Sequence, residues 1–203
     1  MQTPFFSAWA TATFRLPHQL VARVTRTASQ RDTALREVAM SSWLHSAHIP
    51  VVRPVEEPVE LNDTVVTFWH ELPPHRPATP AEIGQFLRKL HGTPPPAEGL
   101  LAALRPFVRV AERIDAARIL ADDKKFLHER LGDLKTRWKT ATFMLGLAVV
   151  HGDPHDNNIV ATDDGTVLAL DLERFAIGPL EWDLTLVAIE YDSFSWVSPA
   201  EYQ

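Results

Sequence analysis

The stretch "HGDPHDNNIV", residues 151–160, sets two histidines, two aspartates and two asparagines in eight positions before turning apolar. It follows the apolar run "MLGLAVV", residues 144–150. A dense polar loop between two apolar segments marks a site carried on a rigid scaffold. Downstream, "NNIVATDDGTVLALDLE", residues 157–173, has the form of a β-hairpin. Reading Asp164-Gly165 as a two-residue turn sets Asn158 directly opposite Asp171. Residues so opposed share one face of the sheet, with Cβ atoms about 4.5–5.5 Å apart.

An amide oxygen and a carboxylate at the open end of a hairpin suit Mg²⁺. That ion is commonly held by one or two protein oxygens together with substrate phosphates. Asp153, upstream on the connecting loop, is then left to orient an acceptor hydroxyl and take its proton. The plainer alternative is that these polar residues only cap and solvate a turn. A metal pair made of His151 and His155 would need a helix, which Pro154 and the Asp156-Asn157 pair oppose. His151 is expected to brace the loop, and His155 to lie near the phosphates or in solvent.

Outward from the loop, the N-terminal third reads ββαββ. "TFRL" (13–16) and "LVARV" (20–24) are short strands. Ser29 and Asp32 resemble a capping box ahead of a helix closed by Pro50. Residues 51–72 read as strands, with a turn at Asn62-Asp63 and a β run at Val65–Trp69. "LPPHRPATP" (72–80) holds four prolines and reads as a stiff, extended connector between two lobes. Thr79 and Pro80 then open a helix over "TPAEIGQFLRKLHG". Residues 100–145 are mostly helical in pattern, and a last helical segment surrounds "EWDLTLVAIEY". The tryptophans read as packing residues.

Composition narrows the function classes. The chain has 203 residues, 45% of them hydrophobic, a formal net charge of −6 and no cysteine. Disulfides and thiolate metal sites are excluded. The acidic balance argues against a nucleic-acid partner. No apolar run reaches the ~18 residues of a membrane span, and the N-terminus lacks the pattern of a signal peptide. The expected compartment is the cytoplasm.

Two blocks carry a family resemblance. "HGDPHDNN" resembles the H-G-D-x-x-x-x-N catalytic loop of the aminoglycoside phosphotransferase family, which has a protein-kinase-like fold. "VLALDLERFAIGPLEWDL" is similar to the family's following segment, with its later G-P and W-D-L. Weaker likeness extends to "LVARV", "ALREVAMSSWL", "VVTFWHELPP" and "LRKLHGTPPP". The resemblance implies an α+β, two-lobed fold. Residues 1–72 would form a mainly β nucleotide-binding lobe with one helix, 73–80 the hinge, and 81–203 a larger, mainly α catalytic lobe, incomplete at its C-terminus.

The resemblance also assigns roles. Asp153 matches the catalytic base, Asn158 and Asp171 the Mg²⁺ ligands, and Glu173 follows in the same run as a supporting acid. Arg23 stands where the family has a lysine, with Glu37 as its helix partner; a solvent-facing Glu37 and a peripheral Arg23 are the plainer alternative. The adenine would rest on backbone groups near His70–Leu72. No glycine precedes Gly84, so "FSAWATATF" would have to cover the phosphates, with Ser7, Thr11 or Thr13 nearby.

The implied activity is a Mg²⁺- and ATP- or GTP-dependent kinase acting on a hydroxyl of an aminoglycoside-like, amino alcohol or sugar acceptor. A kinase-like nucleotide-binding pseudoenzyme is the alternative, and a metal-dependent phosphoester hydrolase a third. The short C-terminus leads to an expectation of self-association through an incomplete face.

Overall fold

A computed structural model describes residues 12–25, 27–62, 64–96 and 99–192, with Ser198 and Ala200. Ser7, Thr11, the second turn residue Asp63 and the helix expected from Pro199 lie outside the described residues.

Strands β1 (Ala12–Leu16) and β2 (Leu20–Val24) form a hairpin whose register sets Thr13 opposite Arg23. Helix α1 (Ala28–Ser46) follows, then β3 (Val59–Leu61) and β4 (Thr64–His70). The sheet order is β1-β2-β4-β3, so ββαββ holds. β4 is a half-buried strand of period two, with Val65, Thr67 and Trp69 buried. The Thr67 hydroxyl accepts from Trp69 Nε1 at 2.9 Å, which satisfies a buried indole.

The capping box at Ser29 does not form. Thr27 occupies the N-cap in an extended conformation (φ −140°, ψ 153°), which puts Ser29 inside the first turn. A cap residue must lie just outside the helix to reach the free N–H groups, and Ser29 is two positions too late. At α2 (Pro80–His91) the expected start does form. Thr79 and Glu82 make a reciprocal capping box with Pro80 at the first position.

The proline-rich connector contains a short strand, β5 (His75–Pro77), paired with β7 (Ile159–Thr162). It is an edge strand of the sheet β5-β7-β8, where prolines are tolerated. β8 is Val167–Ala169. Two antiparallel strands, β6 (Leu147–Val150) and β9 (Ala176–Pro179), flank the polar loop, and α5 (Leu180–Asp192) follows at once.

Between α2 and β6 the helical expectation is only partly met. The helices there are α3 (Val110–Ala116) and α4 (Ala121–Thr140). Residues 102–104 run instead beside β9, through a parallel bridge between Ala103 and Ile177. Leu104 N–H donates to the Ile177 carbonyl at 2.8 Å, and Ile177 N–H to the Ala102 carbonyl at 2.9 Å. Sheet-edge hydrogen bonds override the local apolar spacing here.

One core joins both halves of the chain. Met40 and Leu44 of α1 meet Ile83, Phe86, Leu87 and Leu90 of α2, together with Val149, Ile159, Leu172 and Phe175. The α2 set falls at helical spacing, so one stripe of the helix faces this core. By contrast, α4 leaves Phe126, Leu127 and Leu134 exposed. No helix among the described residues is long and apolar enough to cross a membrane.

The hairpin register differs from expectation by one residue. Ile159 pairs with Ala169, Val160 with Leu168 and Ala161 with Val167. The loop has three residues, Asp163 to Gly165, with Gly165 at φ 83°. The Asp164 carboxylate sets it by accepting from the Thr162 hydroxyl at 2.6 Å and the Thr166 N–H at 3.0 Å. Asn158 therefore faces Leu170, whose N–H donates to its carbonyl at 2.7 Å. Asp171 is not its cross-strand partner. It leaves the ladder in a left-handed conformation (φ 48°, ψ 73°).

Candidate active site

The polar loop is held from beneath by one carboxylate. Asp183, on α5, is fully buried. Its Oδ2 accepts from the His151 N–H at 2.9 Å and its Oδ1 from the Gly152 N–H at 2.9 Å. His91 Nε2, from α2, donates to Oδ2 at 2.9 Å. Trp182 Nε1 donates to the Gly152 carbonyl at 2.9 Å. Two adjacent residues of α5 thus grip both faces of one peptide segment, and α2 secures the grip.

Gly152 makes that geometry possible. Its φ is 86°, and a Cβ added there would collide with the Arg174 carbonyl oxygen and sit 3.1 Å from Arg174 Cβ. Gly152→Ala is expected to cost about 2–4 kcal/mol, from left-handed strain plus overpacking. Urea unfolding measures this, and an unchanged midpoint would show that the loop can shift away from Arg174 without cost.

His151 is fully buried and stacks on Phe175 with ring centroids 4.7 Å apart. Its Nδ1 accepts from the Asp153 N–H at 3.3 Å. Burial holds its pKa below the ordinary histidine value, against the charges of Asp183, Asp171 and Asp153 and the Leu170 carbonyl. The imidazole is therefore neutral and braces the loop. Among the described residues its Nε2 completes no hydrogen bond of good geometry. His155 does not join it as a metal pair. Its Nε2 lies 4.0 Å from Asp153 Oδ2, and it is half-buried.

Asp153 is fixed through its backbone, leaving its carboxylate unspent. Its carbonyl accepts from Asn158 Nδ2 at 3.0 Å and from the His155 N–H at 3.0 Å. Because the Asn158 amide nitrogen is spent on that bond, its Oδ1 is the donor left for a cation. Asp171, Glu37 and Glu173 form an acidic group nearby. Burial raises the Glu37 pKa above the ordinary carboxylate value; Arg23 opposes the shift, and Asp171 and Glu173 add to it. Burial also raises that of Glu173, with Asp171 adding to the shift. Arg23 Nη1 donates to Glu37 Oε2 at 3.0 Å, so the pairing of strand and helix forms, with Glu37 buried. Thr13, opposite Arg23, is exposed.

No group of three or more acidic or imidazole side chains converges on a metal position among the described residues. A cation here would rely on Asn158, Asp171 and oxygens brought by a ligand, a donor set that fits Mg²⁺.

Near the connector, the His70 N–H donates to the Arg53 carbonyl at 3.0 Å and the Glu71 N–H to the Gln19 carbonyl at 2.7 Å. Leu72 N–H has no backbone partner among the described residues. A cavity of about 460 Å³ lies against His70–Pro73, walled by residues 48–53, Thr166 and Leu168. None of Arg23, Asp153, Asn158 or Asp171 lines it.

A family model described as "Phosphotransferase enzyme family" matches residues 3–203. The chain belongs to this family. No curated protein matches it. Among solved structures, a phosphotransferase-family relative of similar shape is aminoglycoside phosphotransferase APH(3'')-Id from Streptomyces rimosus. It has TM-score 0.71 and 20% identity, over 92% of this chain and 78% of that one. Choline kinase LicA from Streptococcus pneumoniae has TM-score 0.67 and 13% identity, over 100% of this chain and 71% of that one. Amicoumacin kinase hAmiN has TM-score 0.61 and 16% identity, over 82% and 56%. At these identities the likeness is one of fold, protein-kinase-like and two-lobed. The chain spans a little over half the length of the amicoumacin kinase.

Sequence reading named His151, Asp153, Asn158, Asp171, Glu173, Arg23 and Glu37, and the fold gathers them around one loop. It missed Asp183, Trp182 and His91 as the supports of that loop. The available signal was Trp182-Asp183, an indole beside a carboxylate just after Gly178-Pro179.

Proposed function

We propose that this chain is a kinase transferring the γ-phosphoryl group of ATP or GTP to a hydroxyl of a small-molecule acceptor. The observation that carries the reading is the Asp153 carboxylate, pinned by its backbone and free at its oxygens, beside Asn158, Asp171 and the Arg23–Glu37 pair. In this proposal Asp153 is the base, and Asn158 and Asp171 hold Mg²⁺. When bound, Mg²⁺ would neutralise phosphate charge and align the reacting groups. Arg23, kept in place by Glu37, grips phosphate oxygens; it is a permanent, planar donor where the family has lysine. The adenine rests on backbone groups of His70–Leu72. His151, His155 and Glu173 support the loop.

The acceptor hydroxyl oxygen bonds to the γ-phosphorus, its proton passes to Asp153, and the bond to the β–γ bridging oxygen breaks, releasing the nucleoside diphosphate. Residues 1–72 serve as the nucleotide lobe, 73–80 as hinge and 81–203 as the catalytic lobe. An aminoglycoside-like compound, an amino alcohol and a sugar are the acceptor classes to screen, because solved structures of similar fold include an amicoumacin kinase, a choline kinase and complexes with streptomycin and gentamicin. A cytoplasmic location and self-association belong to the same proposal.

Asp171→Asn tests the metal assignment. Asparagine tolerates the left-handed conformation of this position, so charge is removed without adding strain. Mg²⁺-dependent nucleotide affinity should fall by about tenfold or more, the value of a lost charge-assisted contact. Calorimetric titration with and without Mg²⁺ measures it, and equal Mg²⁺ dependence in both proteins would refute the assignment. The absence of glycine before Gly84 favours a second reading, a nucleotide-binding pseudoenzyme. Mg²⁺-nucleotide binding with no transfer to any hydroxyl compound would select it.

A further inference from the structure

We infer that a basic cavity beside the polar loop takes the anionic group, a phosphate or carboxylate, of the acceptor molecule. This deepens the phosphotransferase reading and rests on it.

The cavity measures about 320 Å³ and lies between α1, the segment 102–109 and the segment 173–176. Arg36, Arg105, Arg109 and Arg174 line it, against a single carboxylate, Glu173. A chain of net charge −6 therefore concentrates positive charge at this one wall. Arg36 is committed through Nη2 to the Glu173 carbonyl. Arg109 lies 3.6 Å from Glu112. Arg105 and Arg174 have no side-chain hydrogen bond or ion pair among the described residues.

Two backbone segments bring these arginines to the same cavity. The bridge between Ala103 and Ile177, with its two hydrogen bonds, ties the strand before Arg105 to the strand after Arg174. Gly178 allows the close approach, since a Cβ there would come within 2.9 Å of Leu104 Cβ. The wall is thus a built feature of the sheet edge rather than a chance meeting of surface side chains.

Its place relative to the reaction follows from Arg174. The backbone and Cβ of Arg174 pack directly on Gly152, the residue before Asp153. Arg174 also follows Asp171 by three positions. Asp153 does not itself line the cavity, so in this proposal the acceptor spans from its hydroxyl at Asp153 to its far end on this wall. Guanidinium groups match phosphate and carboxylate oxygens in paired, charge-assisted hydrogen bonds. A polycationic acceptor entering the same cavity would meet four guanidinium groups against one lining carboxylate, which selects against it. The chemistry of the wall therefore favours an acidic alcohol: a hydroxy acid, a sugar acid or a phosphorylated sugar.

The test begins without nucleotide or Mg²⁺, with inorganic phosphate as probe in a calorimetric titration. Arg105→Glu, at an exposed position, should weaken phosphate binding by about tenfold or more, while Arg130→Glu, an exposed arginine of α4 that does not line the cavity, leaves it within about twofold. Unchanged binding in Arg105→Glu, or an equal loss in Arg130→Glu, would overturn the site. The second arm assays transfer to matched pairs of alcohols, each acidic compound beside its neutral analogue. Arg105→Glu should raise KM for the acidic member by about tenfold and leave the neutral member unchanged. Wild-type transfer only to neutral or cationic alcohols would mark the anion as an effector and overturn the acceptor assignment. Phosphate binding that requires Arg105, in a chain that transfers to no alcohol, would sink the phosphotransferase reading and leave the anion site standing.

Discussion

Asp153→Asn is expected to slow phosphoryl transfer by about 10²–10⁴-fold, the range for loss of a general base. Nucleotide affinity should stay within about twofold, because Asp153 is not among the proposed metal ligands. The argument is one of spent and unspent atoms. The Asp153 N–H goes to His151 Nδ1, and its carbonyl receives Asn158 Nδ2 and the His155 N–H. Those bonds need only the backbone, which asparagine supplies equally well. Among the described residues the carboxylate makes no hydrogen bond, His155 Nε2 lying 4.0 Å away, and its side chain is 43% exposed. The substitution therefore removes a proton acceptor and leaves the loop in place. Single-turnover phosphorylation of a verified acceptor, set beside a nucleotide titration, checks both halves. Transfer at the wild-type rate would remove Asp153 from the base role, and a loss confined to nucleotide affinity would move it to the metal.

The ββαββ order and the polar loop of the candidate site were legible in the sequence because each depends on local chemistry. Thr79-Pro80 with Glu82 announces a helix start through hydrogen bonds within four residues, and α2 begins there. The clustering of "HGDPHDNN" needs no tertiary information. What failed depended on choices between near-equal local options. Asp164-Gly165 suits a two-residue turn, but the Asp164 carboxylate has two partners in the three-residue form. That one step moved Asn158 from Asp171 to Leu170. The left-handed backbone at Asp171 then restores its approach to His151 and Glu37, whose pKa shifts both register its charge. The sequence reading thus placed Asp171 in the right neighbourhood for a wrong geometric reason. The parallel contact of 102–104 with β9 was hidden because it joins segments some seventy positions apart, and apolar spacing carries no trace of such a partner.

Asp183→Ala should be the most damaging change to the fold of the site. The carboxylate is fully buried and receives three donors: the His151 and Gly152 N–H groups and His91 Nε2. Alanine favours helix at this α5 position, so the backbone of the helix is not at risk. What is lost is the acceptor, which leaves two loop amides and an imidazole N–H without their partner in the interior. Breaking a buried charged contact of this kind costs about 3–5 kcal/mol. For a chain of this size that corresponds to a fall in Tm of roughly 6–20 °C. Asp183→Asn should lie between, since one oxygen remains while the NH₂ end opposes a donor that the carboxylate accepted. His91→Ala removes one of the three donors and keeps the loop amides satisfied, so its effect should be the smallest of the three. Because Asp183 acts on the loop and touches neither nucleotide nor acceptor, kcat should fall even at temperatures where the variant is folded, with nucleotide affinity little changed. Thermal unfolding with single-turnover assays at low temperature separates these outcomes. A Tm within 2 °C of wild type in Asp183→Ala would show that water replaces the carboxylate, and the loop would then owe its shape to Trp182 and Gly152 alone.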